Sequence, residues 1–209
     1  MTLAQAISAY NRSKKWEIFR KHFSPHARMR VLDVGFTGTE YSPNDNYIEK
    51  HYPYPERLTA LGIEDPQRFK RTYAPVNVVL YGGTEFPFAD QAFDVCWSNA
   101  VLEHVGGHDN QVRFLREIAR VSKRAFVTTP NRLFPVEVHT RTPLLHYLPR
   151  SLFDSYLTLV GKKWAAGNYM NLLSRSTLKQ LLKRSGIADF TIIANKLVGI
   201  TLEFLLIIR

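Results

Sequence analysis

The chain of 209 residues is long enough for one α/β domain, and its 45% hydrophobic content can supply a substantial core. Lys and Arg number 28 against 18 Asp and Glu, and the formal net charge of +10 favours anionic partners such as nucleic acid, phosphorylated substrates or a membrane surface. The single cysteine, Cys96, excludes an intrachain disulfide and predicts a buried thiol in a cytoplasmic protein. No signal pattern and no apolar run of about 20 residues is visible, so we expect no transmembrane segment.

A basic helix and a buried strand open the chain. Apolar residues recur at helical spacing among lysines and arginines over residues 3–23, which predicts a leading helix within residues 1–27. Residues 31–38 (VLDVGFTG) combine an apolar run, the acid Asp33 and a Gly-x-x-Gly turn. This pattern is typical of a parallel strand that leads into a ligand-binding loop, because ligands of open α/β sheets bind beyond the carboxyl ends of the strands.

Strands and helices alternate up to residue 129. Ser42 and Pro43 have the residue types of an N-cap and a first helical position, which predicts a short helix that ends before Pro53. A second helix is predicted over residues 109–121. Apolar runs predict four further strands at residues 58–63, 76–80, 93–99 and 124–129. This alternation predicts a mostly parallel sheet.

Residues 130–173 interrupt the alternation with prolines and aromatic residues, and we interpret them as a lid or substrate insertion. Its many apolar side chains could cover an apolar substrate, contact a membrane or pack as a small subcore. A helix with Ser174 as N-cap is predicted next. Two strands at residues 190–194 and 200–208 follow, and their short connection predicts an antiparallel pair.

These motifs resemble those of the class I S-adenosylmethionine-dependent methyltransferases. Residues 31–38 resemble the first motif, an acid followed by Gly-x-Gly-x-Gly, and residues 60–64 (ALGIE) resemble the second, which carries a ribose-binding acid. Residues 82–95, with GGTEFPF and FDV, are similar to the loop and fourth strand of the family, and residues 98–105 (SNAVLEHV) are the most specific match. The resemblance is strong over residues 28–129.

The resemblance implies a single methyltransferase-like domain over residues 1–209. Its fold would be Rossmann-like α/β: a seven-stranded, mostly parallel sheet with an antiparallel C-terminal strand pair, helices on both faces, and the lid after the fifth strand. The implied cofactor is S-adenosyl-L-methionine. The positions that match cofactor-binding residues are Asp33, Gly35, Phe36, Gly38, Glu64, Thr84, Glu85 and Ser98.

Each of these positions has an implied role in the family. Asp33 would shape the pocket for the methionine moiety, and Glu64 would hold the ribose hydroxyls. Thr84 and Glu85 would lie along adenine, and Ser98 would line the floor of the site. Each residue taken alone could instead serve a turn or a solvated loop, so the assignment depends on the whole set.

The first motif departs from the family pattern. Thr37 and Thr39 stand where the family usually has its second and third glycines, and β-branched residues tolerate positive φ poorly. Gly83 replaces an acid that often accepts a hydrogen bond from adenine. The loop therefore needs a different path, and residues 39–57 could supply substitute contacts.

Three residues are candidates for the catalytic site. His104 follows the fourth strand, and Glu137 and His139 alternate in a segment that we expect to be extended and to follow the fifth strand. Any of them could serve as a base or orient a nucleophile. The sequence shows no Cys/His cluster with zinc spacing and no Gly-x-Ser-x-Gly motif, so we expect no metal.

The function implied is methyl transfer by in-line displacement to a small-molecule, glycan or lipid-like acceptor, with lid residues positioning the acceptor. Two alternatives remain open. The net charge of +10 would suit an RNA methyltransferase, although the basic residues are scattered over the chain. The altered glycine loop would suit a catalytically silent member that binds cofactor or serves as a scaffold.

Overall fold

The computed structural model describes residues 3–209, apart from the side chains of Leu3, Ala4 and Asn168. The helices are α1 (Leu3–Phe23), α2 (Tyr47–His51), α3 (Gln67–Thr72), α4 (His108–Val121), α5 (Arg150–Leu159) and α6 (Arg175–Arg184). The strands are β1 (Val31–Val34), β2 (Leu58–Gly62), β3 (Asn77–Leu80), β4 (Val95–Asn99), β5 (Ala125–Pro130), β6 (Val136–Glu137), β7 (Thr142–Pro143), β8 (Phe190–Leu197) and β9 (Ile200–Ile208). Among the described residues, no helix has the length and apolar character needed to cross a membrane.

Seven strands form one sheet in the order β3-β2-β1-β4-β5-β9-β8. Strand β1 pairs in parallel with both β2 and β4, β2 pairs in parallel with β3, and β8 pairs antiparallel with β9. The prediction of a Rossmann-like, mostly parallel sheet with an antiparallel C-terminal pair is therefore confirmed. The chain leaves β1 on one side for β2 and β3 and returns on the other side at β4, which creates a switch point where such sheets bind ligands.

The chain divides into two compact units, and the first comprises Met1–Ser98 and Ile118–Phe126. Aromatic rings fill the core of this unit. Phe19 of α1 is fully buried, and its ring centroid lies 5.1 Å from that of Trp97 and 5.8 Å from that of Phe126. Because buried aromatic rings contribute large apolar areas and favour these edge-to-face contacts, they hold α1 against β4 and β5.

The second unit comprises Asn99–Glu117 and Val127–Arg209. Its insertion after β5 contains the separate β6–β7 hairpin and α5. A small buried cluster lies within the insertion and consists of Phe153, Leu157, Ala165 and Met170. Other large apolar side chains of the insertion are exposed, including Leu144, Leu152, Leu159 and Trp164.

One of the two predicted helix N-caps differs from the structure. The helix predicted to start at Ser42 begins only at Tyr47, because the Asp45 carboxylate accepts hydrogen bonds from the backbone N–H of Tyr41 and of Ser42 and closes a turn. The prediction of Ser42 as N-cap was wrong. Ser174, by contrast, is an N-cap, and its hydroxyl accepts a hydrogen bond from the N–H three residues later.

Candidate active site

The first-motif loop is built by close backbone approach. Gly35 has φ +101°, and its N–H donates to the carbonyl oxygen of Leu61 at 2.8 Å. The N–H of Gly38 donates to Oε2 of Glu64 at 2.7 Å. A Cβ at Gly38 would clash with the carbonyl oxygen of Asp65, so only glycine fits there. The structure thus brings together Gly35, Gly38 and Glu64, and Glu64 fixes the loop as well as closing β2.

Phe36 supports this loop from the protein interior. Its side chain is buried, and its ring centroid lies 4.6 Å from that of Phe69. Gly62 packs so closely on the Phe36 ring that a Cβ there would clash with it. The Phe36 ring therefore belongs to the core under the loop.

Asn46 fixes the part of the loop where the usual glycines are missing. Its side chain accepts a hydrogen bond from the N–H of Thr37 at 2.8 Å and donates to the carbonyl oxygen of the same residue at 2.9 Å. It also donates to Glu40, which accepts hydrogen bonds from Lys50 and Tyr73 as well. A polar network thus holds the altered loop, and sequence analysis had placed substitute contacts only broadly in residues 39–57.

A buried pair of carboxyl groups lies at the end of β1. Burial raises the pKa of Asp33 to about 6, although a hydrogen bond with Glu49 and the charge of Arg12 work in the opposite direction. Burial and the charge of Asp33 raise the pKa of Glu49 well above its ordinary value. Each group is therefore harder to ionise than an exposed acid, and we expect the pair to share a proton over part of the pH range. Sequence analysis missed Glu49, because no local pattern links it to Asp33.

Ser98 and the loop after β3 differ in their surroundings. Ser98 pairs in register with Val34 across β1 and β4, is fully buried, and its hydroxyl has no hydrogen-bond partner within residues 3–209. Thr84 and Glu85 lie on an exposed loop, and the space that a Cβ at Gly83 would enter is empty of neighbouring atoms. Within the described chain, no hydrogen bond brings Thr84 or Glu85 to the other predicted cofactor residues.

A second cluster, which we call the histidine cluster (Glu103, His104, Glu137 and His139), lies entirely in the second unit. Glu137 is buried and accepts hydrogen bonds from Nδ1–H of His139 at 2.9 Å and from the backbone N–H of His139 at 3.0 Å. Its other oxygen accepts from the hydroxyl and the N–H of Thr140 at 2.6 Å. His139 lies in the β6–β7 turn, so the expectation of an extended segment was wrong even though the two residues do meet.

The two histidine rings of the cluster face each other. Nδ1–H of His104 donates to the carbonyl oxygen of Tyr169 at 3.0 Å, and its Nε2 lies 3.1 Å from Nε2 of His139. Oε1 of the fully buried Glu103 lies 3.9 Å from Nε2 of His104 and 3.7 Å from Nε2 of His139. Oε2 of Glu103 accepts from the Thr129 hydroxyl at 3.0 Å.

Opposite pKa shifts accompany this arrangement. Burial would lower the pKa of His139, but the hydrogen bond to Glu137 and the charges of Glu103 and Glu137 outweigh it and raise the pKa. Burial lowers the pKa of His104, and the charge on His139 lowers it further. Burial would raise the pKa of Glu137, yet its hydrogen bonds lower it to about 2. His139 is therefore the more basic of the two facing rings.

A cavity of about 330 Å³ opens beside Glu137 in the second unit. Its charged and polar lining residues are Arg132, Arg150, Glu137, Asp154, His108, His146 and Asn171, and Nε of Arg150 lies 3.9 Å from Asp154. Its apolar lining residues are Leu148, Phe153, Ala165, Met170 and Leu172. The volume falls in the range of small-molecule sites, which are concave and combine apolar walls with a few polar groups.

Comparison with known proteins agrees with this architecture. Residues 32–125 match the family model for a methyltransferase domain. The fold is similar to that of an S-adenosylmethionine-dependent methyltransferase from Mesorhizobium loti, with a TM-score of 0.60, 13% identity, and coverage of 92% of this chain and 96% of that one. A SAM-dependent methyltransferase from Aquifex aeolicus gives a TM-score of 0.54 and 15% identity, with coverage of 93% and 88% respectively.

A third similar structure is phosphoethanolamine N-methyltransferase 2 of Haemonchus contortus in complex with S-adenosyl-L-methionine, with a TM-score of 0.57, 13% identity, and coverage of 87% of this chain but 38% of that one. No curated protein sequence matches the chain. Together, the match over residues 32–125 and the fold indicate an S-adenosylmethionine-dependent methyltransferase. The predicted resemblance to class I of these enzymes and the predicted cofactor, S-adenosyl-L-methionine, are confirmed.

The residues of the first unit fit this cofactor chemically. The buried Ser98 hydroxyl has no hydrogen-bond partner among the residues that the structure describes, and an unsatisfied buried hydroxyl is costly unless a ligand or water satisfies it. Glu64 presents a carboxylate at the end of β2, where hydroxyl groups of a ribose could donate to it. Adenosine carries hydrogen-bond donors, and the strand ends therefore offer acceptors that suit it.

Proposed function

We propose that this methyltransferase acts on a small-molecule acceptor that carries an anionic group, and that the cavity of about 330 Å³ receives it. The observation that carries the proposal is the lining of this cavity. Glu137, which fixes the His139 ring, lines the same cavity as Arg132 and Arg150. Guanidinium groups bind carboxylates and phosphates through paired hydrogen bonds, so the two arginines favour an acidic acceptor.

The proposed cofactor residues are the eight strand-end positions, namely Asp33, Gly35, Phe36, Gly38, Glu64, Thr84, Glu85 and Ser98. In this proposal Glu64 and Ser98 act through their side chains, and Phe36 acts by supporting the loop from below. When bound, S-adenosyl-L-methionine would supply a methyl group on a positively charged sulfur. The sulfur is the leaving group of the in-line displacement.

The proposed catalytic residues are His139, Glu137 and His104. Glu137 fixes the orientation of the His139 ring, and His104 receives its own orientation from the Tyr169 carbonyl. His139 and His104 would orient the nucleophilic atom of the acceptor. Orientation of this kind can contribute several kcal/mol to catalysis, on the order of 7–11 kcal/mol in favourable cases.

We further propose that both units belong to one methyltransferase domain over residues 1–209 and that the enzyme works in the cytoplasm. The single seven-stranded sheet, which contains strands of both units, supports the first statement. The free, buried thiol of Cys96 suits a reducing compartment and supports the second.

Transfer of a labelled methyl group tests the acceptor class. We expect turnover with small carboxylic or phosphorylated acceptors and none with RNA transcripts. Arg150→Gln should raise the KM for the acceptor about 10-fold or more, because a hydrogen bond to a charged group contributes about 1.5–3 kcal/mol. Lys163→Gln, an exposed change outside the cavity lining, is the matched control.

Two outcomes would reject the proposal. Transfer to RNA alone would assign the +10 net charge to nucleic-acid binding and make the chain an RNA methyltransferase. Cofactor binding without turnover on any acceptor of the panel would make it a catalytically silent member of the family.

A further inference from the structure

We propose that Glu103, His104 and His139 form a binding site for one divalent transition-metal ion. Their ligand atoms all lie within 4.8 Å of one another. The pairwise separations are 3.1 Å between the two Nε2 atoms and 3.7 and 3.9 Å from these atoms to Oε1 of Glu103. Three ligands arranged tetrahedrally about 2.1 Å from a zinc ion lie about 3.4 Å apart, so small side-chain adjustments suffice.

The hydrogen bonds around the rings favour a cation between them. Nδ1 of His139 faces the Glu137 carboxylate and Nδ1 of His104 faces the Tyr169 carbonyl, and both of these oxygens can only accept. Each Nδ1 must therefore carry its hydrogen, which leaves the lone pair of each neutral ring on Nε2. Two such lone pairs 3.1 Å apart repel each other unless a proton or a metal ion lies between them.

The groups behind the three ligands have the arrangement found behind metal ligands. Histidines that bind a metal almost always donate their other N–H to a carboxylate or a backbone carbonyl, and ligating carboxylates are themselves hydrogen-bonded. Here Glu137 accepts from His139, the Tyr169 carbonyl accepts from His104, and the Thr129 hydroxyl donates to Glu103. Glu137 and the Tyr169 carbonyl therefore act as positioning groups.

The ligand set also selects the class of metal. Two imidazoles and one carboxylate suit Zn²⁺, Co²⁺ or Fe²⁺, whereas Mg²⁺ and Ca²⁺ prefer oxygen ligands throughout. Three protein ligands leave a coordination position open for water or an oxygen of the acceptor. As an account of how the acceptor is positioned, this inference rests on the proposed function, but metal binding itself can be measured without any acceptor.

Cobalt titration of the untagged full chain tests the site. After treatment with a chelator, the protein should bind one equivalent of Co²⁺, with visible absorption bands of low coordination number, and Zn²⁺ should displace it. His139→Ala and His104→Gln should abolish this binding. Glu137→Gln should weaken it by 10–100-fold, the usual effect of changing a group that orients a ligand. His22→Ala, which removes an exposed histidine of α1, is the control.

The outcomes separate this inference from the proposed function. The metal site is overturned if the unchanged chain does not bind Co²⁺ and Zn²⁺ stoichiometrically. It is also overturned if the His139→Ala and His104→Gln variants bind these ions equally well, whatever the methyl-transfer assay shows. Glu103→Gln retains the shape of the side chain, and its circular dichroism spectrum should match that of the parent. Undiminished metal affinity of this folded variant likewise rejects the assignment.

Discussion

The first-motif loop of the first unit and the histidine cluster of the second unit depend on different features of their residues. Backbone groups shape the loop: Gly38 meets the Glu64 carboxylate through its N–H, and a Cβ at that position has no room. Side chains shape the cluster, where Glu137 fixes His139 through its ring and its backbone. The loop therefore needs a residue without a side chain at position 38. The cluster instead needs particular functional groups, such as the Glu137 carboxylate and the His139 imidazole. Substitutions should affect the two regions differently.

The largest expected effect is on the cluster. His139→Ala should reduce the rate of methyl transfer by about 10²–10⁴-fold, the range of acid–base catalysis, while cofactor affinity stays nearly unchanged. Single-turnover rates and calorimetric titration with S-adenosyl-L-methionine measure the two quantities separately. His22→Ala should match the parent in both. A His139→Ala enzyme with full activity would remove this residue from the catalytic site.

A substitution at the loop should show the reverse behaviour. Glu64→Ala should weaken cofactor binding by about 1.5–3 kcal/mol, roughly 10–100-fold, because hydrogen bonds to a charged group are lost. The rate at saturating cofactor should change little. Exposed Glu56, changed to Ala, provides the control. An unaltered dissociation constant in folded Glu64→Ala would move ribose binding to another acid, with Asp65 as the next residue to test.

The steric part of the comparison can be tested through stability. Gly38→Ala should lower the free energy of unfolding by about 1–3 kcal/mol, because the added methyl group would clash with the Asp65 carbonyl. A Cβ at Gly82 meets no atom within 4 Å, so Gly82→Ala should leave stability nearly unchanged. Urea unfolding of both variants measures the difference. Equal stabilities of the two variants would contradict the close approach at Gly38.

The last expected effect concerns the carboxyl pair below the loop and appears only as a dependence on pH. The pKa of Asp33 is raised to about 6 and that of Glu49 well above its ordinary value, so the folded chain holds more protons than the unfolded chain once the pH exceeds about 4. Stability is lost as the pH rises through the folded pKa values, at about 1.4 kcal/mol per pH unit for each such proton.

Glu49→Gln should reduce this loss, because a neutral amide can donate to Asp33 as the protonated carboxyl does. The stability of the variant relative to the parent should therefore increase between pH 5 and pH 8, as measured by thermal unfolding at a series of pH values. Glu56→Gln serves as the control at an exposed site. A difference that does not vary with pH would mean that the two carboxyl groups do not share a proton.

Much of the fold was predictable because its signals are local. Apolar runs gave the seven strands, and the residue types around Ser174 and Gly35 indicated a helix start and a strand-end turn. The same local logic failed at Ser42, where the Asp45 side chain hydrogen-bonds the preceding backbone and delays the helix. Which of several possible hydrogen bonds forms in a short segment depends on the surrounding structure. Here the side chain of Asn46 accepts a hydrogen bond from the N–H of Thr37.

The sequence by itself determined the sheet and the resemblance to methyltransferases that use S-adenosyl-L-methionine, because strand-end motifs lie within single segments of the chain. Only the tertiary structure decided that Glu49 interacts with Asp33 and that Glu103 and His104 meet His139. His104 and His139 are separated by 35 residues, and their rings meet because a turn and a hairpin fold onto each other within the second unit. No spacing rule reports such a contact, since the distance between side chains depends on how the segments between them fold.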